Sequence, residues 1–114
     1  MSNFLALIVE DDPFQREVLA NLLKSEGLEV LECANGEVAE LVIAKTGPEL
    51  RALVTDIQLG GAMSGVELAQ YAKRQFPDLN VVMVSGNCPP CVPQDTHFLM
   101  KPYEPQQLLD AVLR

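Results

Sequence analysis

Residues 4–13 of the chain read FLALIVEDDP, a run of six apolar residues that passes directly into three acids and a proline. An apolar run of this length is typical of a strand that is buried on both faces of a sheet. Asp12 followed by Pro13 is a typical helix start, with an N-cap acid and a proline at the first helical position. The stretch therefore predicts a buried strand, a short acidic turn and a helix.

The same succession of strand and helix recurs along the chain. Further strands are predicted at Leu28–Leu31, Leu53–Thr55, Asn80–Val84 and Thr96–Met100, and further helices at Glu37–Lys45, after Ser64 and from Pro105. Apolar strands that alternate with helices predict a doubly wound α/β fold, a parallel sheet with helices on both faces. Ligands of such sheets bind beyond the carboxyl ends of the strands.

The connection between the last two predicted strands departs from this pattern. Residues 86–95 include Pro89, Pro90 and Pro93, and these ten residues are fewer than a parallel crossover usually needs. A helix that started at Pro90 would meet Pro93 within its first turn, where the ring and the missing N–H oppose continuation. We therefore expect a proline-rich loop in place of a helix.

Length and charge limit the possible functions. The 114 residues, 48% of them apolar, suffice for one domain over residues 1–114. The 16 acidic and 8 basic residues give a net charge of −8, which repels phosphate backbones, so a nucleic-acid partner is not predicted. The first apolar run is too short for a membrane span or a signal-peptide core, so we predict a cytoplasmic protein without membrane association.

The three cysteines do not predict a disulfide framework, because their number is odd and no export signal is present. Cys88 and Cys91 have the spacing of a redox dithiol. A reactive thiolate of that kind is stabilised at a helix N-terminus, whereas this pair lies in the proline-rich segment. A redox role is therefore a minor alternative, and Cys33 is expected to be a small core or edge residue.

Polar residues follow the predicted strands in a pattern that suggests chemistry. They are Glu10, Asp11 and Asp12 after the first strand, Asp56 after the third, Ser85 after the fourth and Lys101 after the fifth. Carboxylates from separate strands form an oxygen site that suits Mg²⁺, although Asp12 is expected mainly to cap its helix. A hydroxyl and an ammonium group suit the oxygens of a phosphoryl group in transfer, with Asp56 as the nucleophile.

Four stretches of the chain, in this order and spacing, resemble the response-regulator receiver family over the whole length. They are LIVEDD at 7–12, LVTD at 53–56, VMVSG at 82–86 and FLMKP at 98–102. The resemblance implies a flavodoxin-like sheet with strand order 2-1-3-4-5. It also implies a two-component signalling protein that accepts a phosphoryl group on Asp56 from a histidine kinase or a phosphotransfer protein and then switches a surface that binds an output protein.

The resemblance also implies how the acids are used. Glu10 and Asp11 would form the acidic pair around Mg²⁺, and Asp11, Asp56 and the backbone carbonyl of Gln58 would be its ligands. The loop from Leu59 to Ser64 is one residue longer than in chemotaxis-type receivers.

The remaining residues of the motif have implied roles as well. Ser85 and Lys101 would contact phosphoryl oxygens, and Phe98 would be the switch aromatic. Gln58 and Asn87 occupy the positions that tune the lifetime of the acyl phosphate in this family. The bond between Lys101 and Pro102 is expected to be cis.

Other functions are weighed against this one. A phosphohydrolase with an aspartyl nucleophile would carry a second aspartate two residues after Asp56, where this chain has Gln58. A degenerate receiver would lack part of the phosphorylation set, and none is missing here. A receiver excised from a larger hybrid kinase stays an alternative to the stand-alone regulator that we expect. Beyond self-phosphorylation and autodephosphorylation, no enzymatic activity is predicted.

Overall fold

The computed structural model describes residues 4–87 and 92–114 of the chain. These residues contain five parallel strands, β1 (Leu5–Val9), β2 (Glu29–Cys33), β3 (Leu50–Asp56), β4 (Asn80–Ser85) and β5 (His97–Met100), in the sheet order β2-β1-β3-β4-β5. The helices are α1 (Pro13–Ser25), α2 (Gly36–Thr46), α3 (Gly65–Gln75) and α4 (Pro105–Leu113). The predicted fold class and strand order are confirmed.

Alternate residues of the central strands face opposite sides of the sheet, and this alternation builds two apolar layers. On β1, Ala6 and Ile8 belong to the layer under α1 and α4, while Leu7 and Val9 belong to the layer under α2 and α3. All four residues are fully buried. Burial on both faces explains why the strand reads as a continuous apolar run.

Two strands differ from their predicted bounds by more than one residue at an end. β3 begins at Leu50 rather than Leu53. The sequence pattern did not show this earlier start because Arg51 interrupts the apolar run, although the residues on either side of it are buried. The guanidinium of Arg51 lies over the ring of Phe4, 5.3 Å from its centre. β2 continues to Cys33, two residues beyond the predicted end. It is an edge strand with exposed glutamates, and these interrupt the apolar run that predicted the strand. Cys33 itself is buried, as predicted.

The helix starts are set by side-chain caps at the carboxyl edge of the sheet. Asp12 Oδ1 accepts hydrogen bonds from the amides of Phe14 and Gln15 at 2.8 and 3.1 Å, which confirms Asp12 as the cap of α1. Ser64 and Glu67 form the predicted capping box at α3. These caps fix the turns that carry the candidate site residues.

The connection from β4 to β5 contains no helix in its described residues, 86–87 and 92–96. Cys88 and Cys91, for which a redox role was only a minor alternative, lie outside the described residues. Among the helices that the structure describes, none combines the length and the apolar character needed to cross a membrane.

Candidate functional site

An open cavity of about 670 Å³ lies at the carboxyl ends of β1, β3 and β5. Its lining includes five of the predicted site residues, namely Glu10, Asp11, Asp56, Gln58 and Lys101. The other three, Ser85, Asn87 and Phe98, are not among the residues that line it. Residues far apart in sequence are thus brought together because parallel strands end at one edge of the sheet.

Lys101 brings a positive charge to this acidic edge. Its Nζ lies 2.8 Å from Asp56 Oδ2 and 3.4 Å from Glu10 Oε1. The Lys101 backbone is held by a hydrogen bond of 2.8 Å from its amide to the Ser85 carbonyl, and the following peptide bond to Pro102 is cis, as the resemblance implied. Burial alone would lower the pKa of the Lys101 amine, but the bonds and charges of Asp56 and Glu10 outweigh burial and raise the pKa.

Glu10 is the buried acid of the site, with only 3% of its surface exposed. Burial raises the pKa of its carboxyl to about 7; a hydrogen bond from the Asp12 amide opposes the rise, and the nearby Asp56 and Asp11 carboxylates add to it. That amide lies 3.1 Å from Glu10 Oε2. The Glu10 carboxyl therefore titrates near neutral pH, and the carboxylates of Asp56 and Asp11 contribute to that pKa.

Asp56 ends β3, and its carboxylate is held by two groups. Oδ1 accepts a hydrogen bond from the Gln58 amide at 3.1 Å, while Oδ2 is paired with Lys101. Gly65 allows the start of α3 to lie against this strand end, since a β-carbon there would collide with the Asp56 carbonyl oxygen. The Gly65 amide donates to the Ile57 carbonyl at 2.8 Å. The acid is thereby positioned by a helix start as well as by the strand.

Asp11 faces solvent at the cavity, and its Oδ2 accepts a hydrogen bond from the Gly60 amide at 3.2 Å. This contact joins the turn after β1 to the loop after β3, across 49 residues of sequence. The carboxylates of Asp11, in the turn after β1, and of Asp56, at the end of β3, therefore line the same cavity.

Ser85 and Phe98 do not line the cavity. Ser85 is 2% exposed, and its hydroxyl oxygen accepts a hydrogen bond from the Asn87 amide at 3.1 Å. Phe98 is half-buried and packs against the apolar layer under α2 and α3. Both residues are close in sequence to groups that line the site, Gly86 and Lys101, but neither presents its side chain to the cavity.

Gln15 is a site residue that the sequence reasoning missed. Its Oε1 accepts a hydrogen bond from Lys101 Nζ at 2.8 Å, and its Nε2 donates to Asp12 Oδ2 at 3.5 Å. The available signal was its position three residues after the cap of α1, which places it on the helical turn nearest the strand ends.

The donor chemistry at this edge fits Mg²⁺. Within the described residues, no three His, Cys, Asp or Glu side chains are arranged to hold a metal by themselves. Mg²⁺ does not need such a group, because it usually binds one or two carboxylates and keeps several waters. Asp11 and Asp56, which both line the cavity, are two carboxylates of that kind.

A doubly wound domain with acids and a lysine at its strand ends agrees with the phosphoryl-accepting domain that the sequence predicts. The chain matches the family model of the response regulator receiver domain over residues 6–113, and it belongs to that family.

Among curated proteins, the chain is 31% identical to nodulation protein W of Bradyrhizobium diazoefficiens. The match covers 96% of this chain and 49% of that protein, so the chain spans about half the length of this relative.

Solved structures give the same result. The receiver domain of the hybrid histidine kinase CckA is 30% identical with a TM-score of 0.83, and the match covers 96% of this chain and 95% of that one. A CheY from Borrelia burgdorferi, solved as a CheX-CheY-BeF3-Mg complex, is 24% identical with a TM-score of 0.86 over 98% of this chain and 88% of that one. At this identity the second likeness concerns the fold.

Proposed function

We propose that Asp56 of this receiver domain accepts a phosphoryl group from a histidine kinase or a phosphotransfer protein in a reaction that requires Mg²⁺. The observation that carries the assignment is the 2.8 Å contact between Lys101 Nζ and Asp56 Oδ2, in a cavity that Asp11 also lines. One carboxylate is thus paired with a cation beside a second carboxylate, as phosphoryl transfer to an acid requires.

The side chains divide the work of the transfer. An oxygen of Asp56 attacks the phosphorus while the bond from phosphorus to the donor breaks, which gives an acyl phosphate. Lys101 exchanges part of its contact with Asp56 for a phosphoryl oxygen. Ser85 moves and donates a hydrogen bond from its hydroxyl group to another phosphoryl oxygen, and Phe98 follows it as the switch aromatic.

The metal would be held by Asp11, Asp56 and the carbonyl of Gln58, with Glu10 as the neighbouring acid. When bound, Mg²⁺ offsets negative charge on the phosphoryl oxygens. The Borrelia CheY, whose fold is similar to that of this chain, was solved in a complex that contains Mg²⁺. Glu10 is nearly fully buried and already engaged by Lys101 and the Asp12 amide, which suits a role beside the metal rather than on it.

The lifetime of the acyl phosphate would be set by this chain itself. Gln58 lines the cavity, and the Asn87 amide donates a hydrogen bond to the Ser85 hydroxyl oxygen. Both residues would therefore affect how water approaches the phosphoryl group. We expect self-phosphorylation by small donors and slow autodephosphorylation. Turnover of small phosphate esters is not expected, since Gln58 cannot act as the general acid of an aspartyl phosphohydrolase.

We further propose that residues 1–114 act as one cytoplasmic receiver domain that signals to an output protein. A second candidate is a receiver that belongs to a hybrid kinase, which the likeness to the CckA receiver favours. In both cases the chemistry at Asp56 is the same.

The test is to incubate the chain with a small phosphodonor and Mg²⁺ and to follow the intact mass. We expect one acid-labile phosphoryl group on the wild-type chain and none on Asp56→Asn, because an amide is a poor nucleophile and a poor metal ligand. Asp78→Asn, a change on the exposed turn after α3, is the matched control and should label normally. Equal labelling of the two variants would rule out Asp56 as the acceptor.

A further inference from the structure

The loop from Ile57 to Ser64 is held by carboxylates at alternate residues. The amides of Gln58, Gly60, Ala62 and Ser64 donate to Asp56 Oδ1, Asp11 Oδ2, Glu37 Oε2 and Glu67 Oε1, at 3.1, 3.2, 3.2 and 2.9 Å. The first two acceptors belong to the candidate metal site. Glu67 belongs to the capping box of α3, which leaves Glu37 as the acceptor whose role is unassigned.

Glu37 reaches this loop from the first turn of α2, 25 residues away in sequence. Its carboxylate also lies against Gly61, where an added β-carbon would come within 2.9 Å of Oε2. Gly61 has a φ of +97°, a backbone conformation that glycine adopts at little cost. A second contact joins the same parts, because the start of α2 at Gly36 packs against the side chain of Met63.

We propose that Glu37 is a positioning residue that anchors the loop after β3 and so sets the affinity of the site for Mg²⁺. The inference rests on the proposed function of Asp11 and Asp56. When these two acids turn to a metal, their hydrogen bonds to Gly60 and Gln58 compete with it. The bond from Ala62 to Glu37 does not compete, so it holds the loop in place while the other two change.

The loop in this chain needs such an anchor for a reason visible in its sequence. It contains two consecutive glycines, Gly60 and Gly61, which carry no side chain that could fix it. Without Glu37, Asp11 would be the one distant carboxylate that still accepts a hydrogen bond from an amide of this loop in the residues that the structure describes, while Met63 would still pack against Gly36. Metal binding would then have to order a loop that is less well anchored, and the conformational entropy lost in doing so would weaken the affinity for Mg²⁺.

The experiment measures the Mg²⁺ dissociation constant by calorimetry for the wild-type chain and for Glu37→Ala, Glu37→Gln and Glu40→Ala. Glu37→Ala should bind about three- to tenfold more weakly, the effect of one hydrogen bond. Glu37→Gln keeps an acceptor oxygen and should stay within about twofold of wild type. Glu40→Ala removes the same charge from the same helix and should also leave the affinity unchanged.

A second readout needs no metal. Amide exchange measured by NMR in a chelator should be faster at Ala62 and Gly60 in Glu37→Ala than in Glu37→Gln. Equal affinities of the wild-type chain and Glu37→Ala would overturn the role of Glu37 alone. Equal weakening by Glu37→Ala and Glu37→Gln would assign the effect to charge and would also overturn it. Failure of the wild-type chain to bind Mg²⁺ would instead remove the metal site itself.

Discussion

The two connections beside the site are held in different ways. The loop after β3 donates to Asp11 and Glu37, two acids from distant parts of the chain. In the described residues of the connection after β4, the side-chain bonds are local, from the Asn87 amide to Ser85 and from the Thr96 hydroxyl to the Pro93 carbonyl. A segment held by other elements keeps its position, whereas one held by near neighbours can rearrange at lower cost. The loop after β3 is thus suited to hold the site for phosphoryl transfer, and the connection after β4 is suited to change its conformation after Asp56 is phosphorylated.

The largest effect is expected at Lys101, which follows β5 and pairs with Asp56. Lys101→Met should slow phosphorylation by a small donor by about 100-fold or more, because charge on the phosphoryl oxygens then lacks its cation. The measurement is the time course of intact mass. Lys45→Met, in the last turn of α2, removes the same charge away from the site and should label at the wild-type rate. A Lys101→Met rate close to that of the control would show that the contact with Asp56 is structural only.

A smaller effect is expected from the titration of Glu10. Its pKa in the folded chain is about 7, above the ordinary 4.5, so the folded state holds an extra proton between these values. The stability from this group is present in full below pH 4.5 and is lost as the pH rises through 7. Without metal, denaturant unfolding should show a loss on the order of 2 kcal/mol across this window.

The variant Glu10→Gln has no such proton and should show a flatter profile over the same range. The comparison is made in a chelator, so that metal binding does not contribute. Parallel profiles for the two proteins would mean that burial does not raise the pKa of Glu10 as its surroundings indicate.

Magnesium should stabilise the folded chain by a comparable or smaller amount. At a Mg²⁺ concentration ten times the dissociation constant, linkage gives about 1.4 kcal/mol. Asp11→Ala should lose most of this gain, because it removes one of the two carboxylates proposed to bind the metal, both of which line the cavity. Asp78→Ala, an exposed acid on the turn after α3, serves as the control. Equal thermal shifts in both variants would place the metal elsewhere.

Much of this arrangement could be predicted from sequence, for a physical reason. Apolar runs locate the buried strands, and the ends of parallel strands share one edge, so Asp11, Asp56 and Lys101 were expected to lie near each other. The predicted start of β3 was wrong because an arginine can belong to a buried strand when its side chain is exposed. Here the side chain of Arg51 is exposed and its guanidinium lies over the ring of Phe4.

The parts that escaped prediction involve groups without a sequence signature. The amides of Gly60 and Ala62 become donors to acids 49 and 25 residues away, and any residue carries such an amide. The bond from Lys101 to Gln15 depends on a rotamer that only the packed site selects. Sequence thus locates the charged groups, while the contacts that hold them emerge from the fold.

The smallest expected effect tests the comparison most directly. Ser85 is buried, and its hydroxyl oxygen accepts a bond from the Asn87 amide, so the hydroxyl must change its surroundings to reach a phosphoryl group on Asp56. The backbone at Gly86 and Asn87 should move with it, and half-buried Phe98 should take up the space. With a beryllofluoride mimic and Mg²⁺, amide exchange should change by about threefold or more at Asn87 and Thr96 and by less at Ala62. In Ser85→Ala the change at Asn87 should shrink. An equal change in both connections would mean that the loop after β3 responds as much as the connection after β4, which would contradict the comparison.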